Sequence, residues 1–146
     1  MKPILEVNNL VKSFDNVIAV NDISFKVGEG HVVGLLGPNG AGKTTTILML
    51  LDLITPSSGK IKIFGKENHK HREEILSNIN FSSPYVSLPG NLKVKENLIT
   101  FARLYGVKDP EKKVRELAEF FEITEMMNKL TLNLSTGQLT RLNLCK

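Results

Sequence analysis

The stretch Gly37-Pro38-Asn39-Gly40-Ala41-Gly42-Lys43-Thr44, followed by Thr45, sets glycines, a lysine and a hydroxyl at the spacing G-x-x-x-x-G-K-[ST]. Glycines let a backbone curl until successive N–H groups converge on one point as an anion nest. A helix starting at the lysine would aim the positive end of its dipole at the same point. In such a loop Lys43 reaches the β- and γ-phosphate oxygens of a nucleoside triphosphate, and the Thr44 hydroxyl ligates Mg²⁺. A glycine turn beside a surface lysine has the same composition, so context decides: the phosphate loop needs a strand before it and a helix after it.

The flanking residues supply that context. His31-Val-Val-Gly-Leu-Leu-Gly37 is a near-continuous apolar run of the kind that forms a strand buried on both faces. Thr44 to Ile54 reads as a helix, ended by Pro56 and the Ser57-Ser58-Gly59 turn. Further upstream Ile4, Val17, Ile23, Phe25 and Val27 fall in alternating patterns, with turn-like Asn8-Asn9 and Asp15-Asn16 between them, which predicts short antiparallel strands. Lys60-Ile-Lys-Ile-Phe64 alternates again, with Ile61 and Ile63 on one face.

After Phe81 the period lengthens. Val94, Leu98, Phe101, Ala102 and Tyr105 make one helical stripe, and Asp109-Pro110 opens a second helix with Val114, Leu117, Ala118 and Phe121 on its core face. The order predicts an α/β fold: a partial P-loop NTPase core with an N-terminal antiparallel β subdomain, residues 1–82, and a helical lobe, residues 83–146.

Hydrolysis asks for more than a cradle: a carboxylate at the end of a buried strand to hold Mg²⁺, and a group to position the attacking water. Leu48-Met-Leu-Leu-Asp52 offers an apolar run before an acid. It continues the helix begun at Thr44, however, and eight residues at ~1.5 Å each put Asp52 about 12 Å from the metal end. No other acid follows a buried apolar run, so the catalytic set reads as incomplete.

Composition sets the outer bounds. At 146 residues, 41% hydrophobic and 23% charged, the chain suits one ordinary packed domain. The apolar stretch Ile47 to Ile54 is too short to span a bilayer and carries Asp52. Neither the N-terminal residues nor the single Cys145 suggests secretion, so a cytoplasmic location is expected. The net charge of +4 is spread over scattered lysines, which reads as a solvated surface without nucleic acid as partner. His69 and His71 lack further ligands at a metal-binding spacing.

The loop, its setting and the closing Leu134-Ser135-Thr136-Gly137-Gln138 together resemble the ATP-binding subunit of ABC transporters, from Leu5 to Lys146. In that family a pentapeptide close to Leu-Ser-Gly-Gly-Gln is the signature, matched here with Thr136 in third place, and Arg141 fits the arginine that follows it. The resemblance places Phe14 where an aromatic ring stacks on adenine, ahead of Ala19-Val20, with Gly37 to Thr45 around the phosphates. It also expects a Mg²⁺-sensing glutamine where Pro84 stands, within Ser82-Ser83-Pro84-Tyr85, and proline has no side-chain donor or acceptor for that task.

The resemblance implies ATP and Mg²⁺ as cofactors, Thr44 as metal ligand, membrane-spanning permease subunits as partners, and a second ATP-binding subunit. The two ATP-binding subunits would sandwich ATP between the loop of one and Ser135 and Gly137 of the other. Residues Glu96 to Gly106 look more exporter-like than importer-like. The family continues past its signature helix into a strand ending in Asp and Glu, so this chain reads as its N-terminal part, truncated after the signature and peripheral to the cytoplasmic face of the membrane. The competing reading is a non-catalytic nucleotide-binding fragment that pairs with an intact subunit; an unrelated small kinase or GTPase would need the pentapeptide to be accidental. If strands flanking His31 to Gly37 are missing, apolar surface is left exposed and poor solubility is expected.

Overall fold

The computed structural model describes residues 2–82 and 88–146, in two compact units, Met1–Asn80 and Phe81–Lys146. The first is built on an antiparallel sheet. Strands β1 (Pro3–Phe14) and β2 (Val17–Gly28) form a hairpin around Asp15-Asn16, β3 (Ser58–Ile63) pairs with the other edge of β1, and β4 (Lys66–Glu67) closes the order β2-β1-β3-β4. Phe64 and Gly65, at φ 53° and 78°, supply the two left-handed residues that a two-residue β3–β4 turn requires.

Asn8-Asn9 is not a turn. Strand β1 runs straight through it, and Asn9 at φ 46° forms an irregularity where the pairing register with both neighbours shifts. Its amide N–H donates to Ser24 Oγ (2.8 Å) and its Nδ2 to Asp22 Oδ1 (2.9 Å), so side chains absorb the bonds that the ladder loses. The polar residues that signalled a turn serve a bulge instead.

The two sheet faces divide by period-two alternation. On one, Lys26, Glu6, Lys62 and Glu67 are successive cross-strand partners, a row of alternating charge across all four strands. Lys26 Nζ lies 3.2 Å from Glu6, and a hydrogen bond from Lys70 holds the Glu67 carboxyl below its ordinary range. On the other face Val7, Leu10, Val20, Ile61 and Ile63 are buried with Met49 and Ile75. The latter two belong to helices α1 (Lys43–Leu50) and α2 (Arg72–Leu76).

Helix α1 is shorter than its apolar pattern implies. It stops at Leu50 because Asp52 turns left-handed (φ 53°). Leu53 N then donates to Leu48 O (2.9 Å) and Asp52 N to Met49 O (3.1 Å), the paired bonds of a Schellman end. Buried Asn68 completes the end, its Nδ2 donating to Met49 O (3.2 Å) and Leu50 O (3.0 Å).

The run His31 to Gly37, expected as a doubly buried strand, forms no strand pairing among the described residues and is exposed. Val32 and Leu36 are 101% and 91% accessible. A strand buried on both faces needs neighbours along its two edges and cover on its two faces, and the described residues provide none of these. An open apolar cleft of about 760 Å³, lined by Ile23, Phe25, Val33, Leu35, Ile47 and Leu50, lies beside it. The exposed apolar surface expected for such a run is present.

The second unit is helical: α3 (Val94–Leu104), α4 (Pro110–Phe120) and α5 (Thr136–Cys145), with single 3-10 turns at Thr124–Met126 and Thr131–Asn133. Asp109 caps α4 by accepting from Lys112 N at 3.1 Å, with Pro110 in the first turn. Val94, Leu98, Val114, Ala118, Ile123, Leu142 and Cys145 form the core, with Phe101, Ala102, Leu117 and Phe121 packed around it. Tyr105 departs from the predicted stripe: it lies past the end of α3 and is 51% exposed. Buried Asn97 donates to Pro89 O (3.0 Å) and Thr131 Oγ1 (2.9 Å), and Thr131 donates on to Leu92 O (2.9 Å). This chain ties the start of α3 to the turn before α5.

Two predictions follow from these buried groups. Asn68→Ala leaves the Leu50 carbonyl without its donor and takes one of two donors from Met49 O, and it is expected to cost about 1–3 kcal/mol, read as a lower urea midpoint at unchanged m. Burial of the Cys145 thiol pushes its pKa from 9.0 up to about 11. Its alkylation at pH 8 should therefore be slow in the native chain and fast in urea. Because the folded state holds the neutral form, the stability from this group is complete below pH 9 and is lost as pH rises toward 11.

Candidate nucleotide-binding site

The predicted phosphate loop sits at the N-terminal end of α1, and Gly42 is its pivot. Gly42 takes the N-cap position at φ 79°, which an L-residue with a side chain rarely adopts, and it has no side chain with which to cap the helix. A Cβ there would collide with the carbonyl of Ala19 on β2 and stand 3.1 Å from Val20 Cγ2. The glycine is what lets the helix start lie directly on the β hairpin. Gly40 is also left-handed, at φ 84°, but has open space around it.

An uncapped helix start leaves donors over. The amides of Gly42, Lys43, Thr44 and Thr45 have no hydrogen-bond partner among the described residues, and the first satisfied one is Thr46 N, which donates to Gly42 O at 2.8 Å. Lys43 folds back over the loop, its Nζ donating to Gly37 O and Pro38 O at 2.7 Å each. Ala41 N closes the turn onto Pro38 O at 3.2 Å.

The three consecutive threonines divide the remaining work. Thr46 is buried and its hydroxyl donates to Gly42 O (3.0 Å), whereas Thr44 is exposed with a hydroxyl that has no partner among the described residues. Convergent free amides, an ammonium and a free hydroxyl are the donor set that suits a polyphosphate with a hard cation beside it. The hydroxyl oxygen of Thr44 is the atom that would hold Mg²⁺, and the amides and Lys43 would hold phosphate oxygens.

Phe14 ends β1 and pairs with Val17, and the residue is 44% exposed. Val20 is buried in the sheet core, so it supports the site from beneath and presents little surface of its own. Asp52 stands at the opposite end of α1 from Lys43. Its side chain is only 7% exposed and lies 3.4 Å from both His69 Nδ1 and Arg72 Nε. It is a helix-end anchor, and among the described residues no group of three or more His, Cys, Asp or Glu could hold a metal ion.

In the second unit the closing pentapeptide is a capped helix start. Ser135 is the N-cap of α5: its Oγ accepts from Gln138 N (3.3 Å), and Gln138 Oε1 accepts from Ser135 N (3.0 Å). This reciprocal box uses both side chains and leaves the amides of Thr136 and Gly137 without partners among the described residues. Leu134 is buried and anchors the turn; Ser135, Thr136 and Gly137 are exposed. Beside them Arg141 NH1 donates to Glu122 Oε2 at 3.2 Å, within a depression of about 400 Å³ that Lys129 and Glu125 also line. Ser83, Pro84 and Tyr85, around the expected sensor position, lie outside the described residues.

Comparison with known proteins joins these two helix starts in one family. The family described as "ABC transporter" matches residues 20–146. The chain belongs to the ABC transporter ATP-binding family. This ABC chain is 36% identical over 149 residues to the bacitracin transport ATP-binding protein BcrA of Bacillus licheniformis, a match covering 100% of this chain and 47% of that protein. It is 33% identical over 145 residues to the Nod factor export ATP-binding protein I of Cupriavidus pinatubonensis, covering 98% of this chain and 45% of that one. It thus spans about half the length of the curated relatives it matches.

Among solved structures, an ATP-binding subunit of an ABC transporter superposes with a TM-score of 0.83 at 26% identity, covering 97% of this chain and 60% of that one. The fold is shared too by cbiO1 of Clostridium perfringens, at a TM-score of 0.80 and 24% identity over 99% of this chain and 61% of that one. No helix among the described residues is long and apolar enough to cross a membrane.

Sequence reading of the ABC chain missed two residues that shape the site. Ala19 presents the carbonyl that excludes any side chain at position 42, and Asn68 secures the far end of α1. Neither has a local sequence signal, because both act on residues about twenty positions away. Gly42→Ala should therefore abolish ATP binding and lower stability by more than ~1 kcal/mol. Gly40→Ala, strained in φ but free of collision, should cost less, as thermal unfolding and nucleotide titration of the two variants would show.

Proposed function

We propose that this chain binds ATP with Mg²⁺ and serves as the ATP-binding portion of an ABC exporter, coupling nucleotide binding and hydrolysis to transport. The observation that carries this reading is the set of amides from Gly42 to Thr45 left free among the described residues, beside Lys43 and Thr44 at an uncapped helix start. Phe14 is the base platform, Gly37 to Thr45 hold the phosphates, and the Thr44 hydroxyl holds the metal. The printed names of its relatives, bacitracin transport and Nod factor export, support the exporter assignment.

Ser135 and Gly137 face the γ-phosphate held by a second ATP-binding subunit, supported by the free amides of Thr136 and Gly137 at the start of α5. The box between Ser135 and Gln138 holds those amides in place, so the backbone contributes at least as much as the hydroxyl. Closure of the paired subunits on ATP moves membrane-spanning permease partners at the cytoplasmic face.

Turnover needs a carboxylate near the metal, and Asp52, held by His69 and Arg72 at the far end of α1, does not offer one. A second reading has these residues bind nucleotide and pair with an intact subunit without hydrolysis of their own. Titration with a fluorescent ATP analogue and a phosphate-release assay test both readings. Saturable binding weakened about 10- to 100-fold by Lys43→Ala, the loss of a charge-assisted bond to phosphate, supports the site. Binding without phosphate release favours the non-catalytic reading, turnover abolished by Lys43→Ala eliminates it, and a folded chain with no saturable binding overturns the ATP assignment.

A further inference from the structure

The tip of the β1–β2 hairpin carries a lysine that the phosphate chemistry does not use. Lys12 lies two residues before Phe14, on the same side of β1 by the alternation of a strand. It is half-buried, and its Nζ sits 4.9 Å from the centroid of the Phe14 ring while donating to the carbonyl of Thr55 at 2.9 Å. The residue between them is tied down in the same direction: Ser13 N donates to Ser57 Oγ at 3.0 Å, and Ser57 N returns a bond to Val11 O at 2.9 Å. The hairpin tip is thereby stapled to the turn that follows α1, whose opposite end carries the phosphate loop.

An ammonium held over one face of an aromatic ring does two things. It attracts the ring quadrupole and so favours one ring orientation, and it occupies that face. Because the Thr55 carbonyl fixes the ammonium from the other direction, the ring is steadied by a group that cannot itself drift with it. The remaining face is left for one flat partner. A ring ordered beforehand loses less freedom when a base stacks on it, so more of the stacking energy appears as affinity.

We propose that Lys12 is a positioning residue for the nucleotide base: it holds the Phe14 ring from one face so that the other face receives adenine, and it acts only through that ring. This rests on the reading of Phe14 as the base platform. It assigns the preference for a base-bearing ligand over a bare polyphosphate to the pair Lys12–Phe14, with the phosphate loop indifferent to it.

The test compares ATP with inorganic tripolyphosphate on the full chain, by competition against a fluorescent ATP analogue, for wild type, Lys12→Met, Lys12→Arg, Phe14→Ala and the Lys12→Met/Phe14→Ala double variant. The ratio of the two affinities is read within each protein, so a variant that folds only in part lowers both ligands together and leaves the ratio intact. Lys12→Met is expected to lower the ATP to tripolyphosphate ratio about two- to five-fold, the magnitude of an exposed cation–π contact. Lys12→Arg, which keeps a cation over the ring, should restore it, and the double variant should match Phe14→Ala alone. A wild-type preference for ATP that survives Lys12→Met, or a further loss in the double variant beyond Phe14→Ala, overturns the role of Lys12 while the platform stands. A wild type that binds ATP no better than tripolyphosphate overturns the platform and the proposal with it.

Discussion

Everything at the N-terminal end of α1 depends on one close approach, that of the Gly42 backbone to the carbonyl of Ala19. A helix resting on a β hairpin normally keeps a side chain's thickness of separation. Here the missing Cβ removes that spacing, and the left-handed φ of 79° turns the chain sharply enough for α1 to begin at the point of contact. The same glycine has no side chain to cap the helix. Closeness and bareness have one cause, and together they leave a row of donors without acceptors among the described residues, at a fixed place on the sheet. In water those donors are solvated at little cost; they are also placed where an anion gains most from them.

The other end of α1 answers the opposite requirement. Its carbonyls are not left open: Asn68 donates to those of Met49 and Leu50, the Schellman pair takes those of Leu48 and again Met49, and Asp52 is held between His69 and Arg72. A helix whose exposed end must bear a ligand's charge gains from having its buried end immobile. The hairpin tip follows the same plan, with Lys12 and Ser13 tied to the turn after α1. The amides at the helix start are left unpaired among the described residues, whereas Lys12, Ser13 and Asp52 behind them are each bonded or ion-paired.

The start of α5 solves the related problem by the opposite means. Where Gly42 leaves its helix uncapped, Ser135 and Gln138 cap theirs reciprocally, and still two amides remain free because a capping box satisfies only some of the first-turn donors. Both helix starts can face phosphate. Only the one with a lysine and a free threonine hydroxyl also suits a metal-bound triphosphate, which is a chemical reason for two different sequences at two helix starts of one family.

Much of this was legible in the residues alone. The spacing of Gly37, Gly40, Gly42, Lys43 and Thr44 is a local code for a loop and the helix start that follows it, although the contact of Gly42 with Ala19 is not part of that code. The alternation of β3, the stripes of α3 and α4 and the Asp109-Pro110 start are local in the same sense, so composition and period were enough. What tertiary structure alone decided is what depends on distant partners. Asn9 became a bulge because Asp22 and Ser24 on β2 could take its bonds. The helix before Asp52 ended early at a left-handed turn whose carbonyls Asn68, from a later element, could bond. Val32 to Leu36 stayed exposed because an apolar run becomes a buried strand only when other strands pair with it, and no local pattern can supply those neighbours.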